Sequence, residues 1–117
     1  LFGDCLEMAQ HLADSGYKDA AAVIAGSSLE AHLRQLGKRF DVPVEHTTSK
    51  GSEPKKADLI NTDLVKAGAY SGIDQKNVTA WLGLRNKAAH GQYAEYEKDQ
   101  VVLMIDAVRN FISRHPA

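Results

Sequence analysis

Apolar residues recur along most of the chain at spacings of three and four, the period of an amphipathic helix. Phe2, Leu6, Ala9 and Ala13 make one stripe over residues 1–15, with Leu1, Cys5, Met8 and Leu12 beside it. This predicts a helix with a broad buried face and makes Cys5 a small core side chain. Gly16 supplies its stop, and Asp19 stands where a cap or first-turn acid opens a second, longer helix. Ala22, Ala25, Leu29, Leu33, Leu36 and Phe40 are the stripe of that helix, and the run Ala25-Gly26-Ser27-Ser28 is small enough for another helix to approach closely. From Asp41 to Lys56 the pattern stops at Pro43, Gly51 and Pro54, which predicts a loop. A short helix near Ala57 carries Ile60, Leu64 and Ala67, and the Gly68 to Gly72 region closes it. Ser71 and Asp74 resemble a capping box for a fourth helix running to His90, with Gly91 as its stop. The fifth places Val101, Ile105, Val108 and Ile112 in one stripe, flanked by Met104 and Phe111, and ends before Pro116. No useful strand pattern appears, so the expected fold is all-α, a four- to five-helix up-and-down bundle.

A length of 117 residues fits one domain, and 44% hydrophobic with 25% charged residues is the balance of a folded globular chain. The chain opens on Leu1 rather than Met, as expected of a domain excised from a longer protein. A formal net charge of -1 argues against coating of long nucleic acid or of an anionic membrane, leaving room only for local contacts. No apolar run reaches the length of a membrane span and no signal peptide is visible, so no membrane association and a cytoplasmic location are expected. His11, His32, His46 and His115 lack zinc-site spacing, and neither metal nor cofactor is expected.

The anomaly lies in the fourth helix. Its stripe of Val78, Trp81, Leu82, Ala88 and Ala89 puts Arg85 on the buried face, where a guanidinium requires either an internal acid or an anionic ligand. Arg85 and His90, five residues apart, diverge by about 140° on an ideal helix. They converge if the helix ends at His90, as Gly91 suggests, or if a second copy supplies the other half.

Leu84-Arg85-Asn86-Lys87-Ala88-Ala89-His90-Gly91 resembles the signature of the HEPN superfamily, in which an Arg is followed by a polar residue and, four to six residues on, by a His. The segment Leu29-Glu30-Ala31-His32-Leu33-Arg34 on the preceding small-residue helix, the loop, the short helix and the terminal amphipathic helix follow the family's order, so the likeness spans nearly the whole chain as one HEPN-like domain of residues 1–117. The resemblance implies a homodimeric, metal-independent endoribonuclease cleaving RNA by 2′-hydroxyl attack, of the kind that serves as a toxin or phage- or stress-defence effector, with an antitoxin or a fused domain as partner. His90 matches the catalytic His, Arg85 the motif Arg and Asn86 the polar residue after it, while Lys87 adds charge at the mouth. The alternative is a non-catalytic dimerisation or ligand/RNA-binding module of a larger bacterial protein. One toxin branch carries a Tyr two residues after the His; here Gln92 holds that place and Tyr93 follows.

The chemistry suits the residues. An imidazole exchanges protons near neutral pH, and a guanidinium stabilises charge building on phosphate oxygens. Asn86 is positioned to orient His90 or to bond the phosphate. Glu30 either pairs with Arg34 one turn on or reaches Arg85 and aims it. Trp81 reads as core packing or a base-stacking platform, Tyr93 and Tyr96 as cleft-lining or ordinary helix-start tyrosines, and Lys50, Lys55 and Lys56 as a solvated loop or an RNA grip.

Overall fold

The computed structural model describes residues 4–117; the Leu1 and Phe2 positions of the first stripe lie outside the described residues. Five helices, α1 (Cys5–Asp14), α2 (Lys18–Arg39), α3 (Ala57–Lys66), α4 (Gly72–Ala89) and α5 (Lys98–Arg114), account for most of the chain. A short 3₁₀ turn, Tyr93–Glu95, links the last two. The central element is α2, which packs against each of the other four helices. Its Leu29, Leu33 and Leu36 meet Val78 and Leu82 of α4, and Val101, Ile105, Val108 and Phe111 of α5, in one buried core. Trp81 is half-buried, its ring edge-on to Phe111 with centroids 6.0 Å apart, so it serves the packing. Cys5 is exposed in the first turn of α1, not in the core.

The predicted loop contains a hairpin, which corrects the all-α expectation. Strands β1 (Glu45–Thr48) and β2 (Gly51–Pro54) pair antiparallel, with Thr48 opposite Gly51 and Glu45 opposite Pro54. Its side chains are mostly exposed, so it has no apolar alternation to betray it. Ladder bonds, a Ser52 hydroxyl donating to Glu45 at 2.8 Å and a Thr48 hydroxyl donating to the Gly51 carbonyl at 3.1 Å hold it instead.

The small-residue run does admit a neighbour. A Cβ built on Gly26 would lie 2.1 Å from Cγ of Arg85, so α4 lays the aliphatic stem of that residue directly on the bare backbone of α2. The other end of α4 is tied to the last turn of α5 and the residue after it. Ser71 caps it by accepting from the Asp74 amide at 3.2 Å, but the Asp74 carboxylate does not return the bond as a capping box requires. It accepts instead from both Arg114 terminal nitrogens, at 2.9 and 3.1 Å, and lies 3.1 Å from the His115 ring. A reciprocal box occurs at α5, between Glu97 and Gln100. His32, buried on α2, bonds the His115 carbonyl at 2.7 Å, so the segment that follows α5 is clasped by α2 and α4 together.

Two stability predictions follow from this packing. Gly26→Val forces α2 and α4 apart and should cost about 1–3 kcal/mol, read as a lower midpoint in thermal unfolding; an unchanged midpoint would show that the close crossing is dispensable. The hydrogen bonds from Arg114 hold the Asp74 carboxyl below its ordinary value, outweighing the opposing effect of burial, with His115 assisting. The unfolded chain therefore binds this proton more readily than the folded one, and the stabilisation is complete above the ordinary carboxylate range and lost as pH falls through and below it. Asp74→Asn should be less stable at neutral pH by about 1–3 kcal/mol and show a shallower acid limb in a pH series of denaturant melts.

Candidate functional site

Arg85 lies little more than a turn from the end of α4, its stem on Gly26 and its guanidinium in reach of α2. Nη2 donates to Oε1 of Glu30 at 3.2 Å, and Nε donates to Oδ1 of Asn86 at 3.0 Å. The internal acid demanded by a half-buried cation is thus Glu30. The same carboxylate accepts from Arg34 through Oε2 at 2.8 Å, so the surface pair and the long-range contact coexist. Burial pushes the Glu30 carboxyl up, but the hydrogen bonds and charges of the two guanidinium groups outweigh it and hold the carboxyl below its ordinary value. It stays ionised and keeps both arginines in place.

His90 is the C-cap of α4. Its backbone amide donates to the Asn86 carbonyl at 3.0 Å, and Gly91 follows at φ 76°, a left-handed conformation that ends the helix. The helix stop leaves the imidazole exposed at the end of α4. Arg85, Asn86 and His90 line one cleft of about 370 Å³ within a single chain. Glu30 and Leu82 line it too, and the opposite wall is formed by Lys56, Ala57 and Asp58 at the start of α3. Asn86 spends its oxygen on Arg85 rather than on orienting His90, and its amide nitrogen has no bond among the described residues.

Two of the expected supporting residues lie elsewhere. Lys87 turns toward α5, pairs with Glu95 and lines a separate apolar groove with Trp81, Leu84 and Leu103. Tyr93 is exposed on the 3₁₀ turn, where its carbonyl accepts from Lys18 at 2.6 Å; it borders a depression with Ile24 and Ala89, away from His90. Tyr96 is buried and donates its hydroxyl to Asp19 at 2.5 Å. The lysine set divides: Lys50 sits exposed at the hairpin turn, Lys55 is bound to Asp63 at 2.9 Å, and only Lys56 reaches the cleft. Asp58 is the site residue that the sequence pattern does not single out, and Lys56 figures in it only as one of three loop lysines; both stand at the start of α3, which nothing in the spacing of the motif ties to α4.

The arrangement unites an immobilised guanidinium, a free amide donor and an exposed imidazole on one wall, facing a lysine on the other. Such a set has the chemical capacity to hold an oxyanion and to exchange a proton beside it. No helix among the described residues is long and apolar enough to cross a membrane. Compared with protein-family models, with curated proteins and with solved structures, the chain matches none of them.

Proposed function

We propose that the chain is a HEPN-type, metal-independent endoribonuclease of the cytoplasm, acting on RNA as a toxin or defence effector and restrained by an antitoxin or a fused domain. The observation that carries this reading is the placement of Arg85, Asn86 and His90 in one cleft of a single chain. His90 takes the proton of a ribose 2′-hydroxyl, the 2′-oxygen attacks the adjacent phosphorus, the bond to the 5′-oxygen breaks, and that oxygen takes up a proton. Arg85 holds the charge that develops on the non-bridging oxygens, and the Asn86 amide donates to one of them. The products are a 2′,3′-cyclic phosphate and a 5′-hydroxyl.

One observation favours a second reading. The Arg85 guanidinium already bonds Glu30 and Asn86, so it is satisfied without a ligand, as a structural ion pair in a dimerisation or binding module is. Cleavage assays separate the two. Purified protein should cut single-stranded RNA in the presence of EDTA and leave DNA of the same sequence intact. His90→Ala should slow cutting by about 10²–10⁴-fold without moving the thermal midpoint, since its side chain is exposed at a helix end. Equal cleavage by the two proteins, or cleavage abolished by EDTA, would overturn the metal-independent nuclease reading and leave the binding module as the better account.

The homodimer belongs to this proposal through the family resemblance, and exposed apolar side chains such as Ile73 and Leu103 supply surface for it. Convergence of Arg85 and His90 in one chain removes the geometric need for a second copy to complete the site. Sedimentation at micromolar concentration should show a dimer. A monomer that still cuts RNA would show that each chain carries a whole site.

A further inference from the structure

We propose that Lys56 is a substrate-binding residue of this cleft, holding the RNA phosphate next to the scissile one; the assignment of the scissile phosphate rests on the nuclease reading. Of the cations around the cleft, Arg85 and Arg34 are both bonded to Glu30. Lys56 is exposed, lines the same cleft as Arg85 and makes no side-chain hydrogen bond or ion pair among the described residues. The lining itself sets Arg85 and Lys56 against Glu30 and Asp58, and Arg34, which shares Glu30 from beside the cleft, adds one further positive charge. That excess resides on Lys56, because the arginines already share Glu30, while Asp58 sits in the first turn of α3 where it complements the positive helix end.

The position of Lys56 is fixed by the same network that holds Arg85. Arg34 donates to the carbonyls of Lys55, at 2.9 Å, and Val44, at 3.3 Å, the residues flanking the hairpin. The Lys55 amide closes the hairpin base by donating to the Val44 carbonyl at 2.9 Å, and its ammonium is anchored on Asp63. A continuous run of bonds thus leads from Arg85 through Glu30 and Arg34 to the peptide that precedes Lys56. The two walls are tied together through these bonds, with an exposed, unpaired ammonium on one and the proton-transferring side chain on the other. An extended polyanion crossing from one wall to the other meets a cation on each.

Binding and cleavage measured side by side test this. In a His90→Ala background, a fluorescently labelled single-stranded oligoribonucleotide should bind about fivefold more weakly when Lys56 is also replaced by Ala. The slope of log affinity against log salt should fall by about 0.7, the signature of one lost phosphate contact. Lys56→Arg should restore both, and Lys50→Ala, on the hairpin turn, should change neither. In the active protein, Lys56→Ala should raise KM about fivefold while kcat is retained. An affinity and slope unaffected by Lys56→Ala, or no binding to the His90→Ala protein at all, overturns the inference even where RNA is cut. Lys56-dependent binding without any cleavage by the wild type upholds it as a binding cleft and overturns the nuclease reading alone.

Discussion

The crossing of α2 and α4 at Gly26 governs both the packing and the site. Where the stem of Arg85 lies on the backbone of Gly26, no side chain separates the helices, and the guanidinium emerges within reach of Glu30 one turn further along α2. Any larger residue at position 26 would lift Arg85 away from that carboxylate. A cation half-buried on an apolar helix face is tolerable only with a partner, and the close approach is what supplies one. The contact therefore joins two requirements that are usually separate, helix packing and charge neutralisation, in one pair of residues.

Glu30 extends that joint outward. Flanked by two guanidinium groups, it remains ionised despite partial burial, and through Arg34 it reaches the carbonyls at the base of the hairpin. The β-hairpin buries almost nothing, so its orientation is set at its base rather than along its strands. This explains how a polar excursion between α2 and α3 can still deliver α3 to the cleft in a defined position. It also places the ionic network at the junction of four elements, where side chains that are 17–29% exposed are shielded enough for their pairing to matter more than that of a solvated pair.

Much of this was legible in the sequence, and the failures share a cause. The helices follow from three- and four-residue spacing, the close crossing from the Ala25–Ser28 run, and the end of α4 from Gly91. The demand for an acid opposite Arg85 was legible as well, with Glu30 one of its candidates. The hairpin was not, because β1 is the polar stretch Glu45–Thr48 and period-two patterning appears only when one face is buried. Lys87 was misplaced for a reason of angle: two residues beyond Arg85 it points about 200° round the helix, toward α5. Asp74 matched a local cap motif, yet Arg114 and His115, forty residues away, claim its carboxylate. Linear spacing ranks local partners and carries no information on distant ones.

The two principal residues of the cleft are coupled to the fold in opposite ways. Arg85 is inseparable from it: its stem fills the interface and its charge anchors Glu30, so its position is determined by the bundle as a whole. His90 depends only on where α4 stops. The left-handed Gly91 ends the helix and leaves the imidazole exposed at the rim. On the proposed nuclease reading, positioning the charge-stabilising group by packing and the proton-transferring group by a helix terminus keeps the first rigid and the second accessible. Oxyanion binding needs a preorganised donor, while proton transfer needs a group that water and substrate can reach. In that proposal, the sequence from Arg85 to Gly91 provides both within two turns.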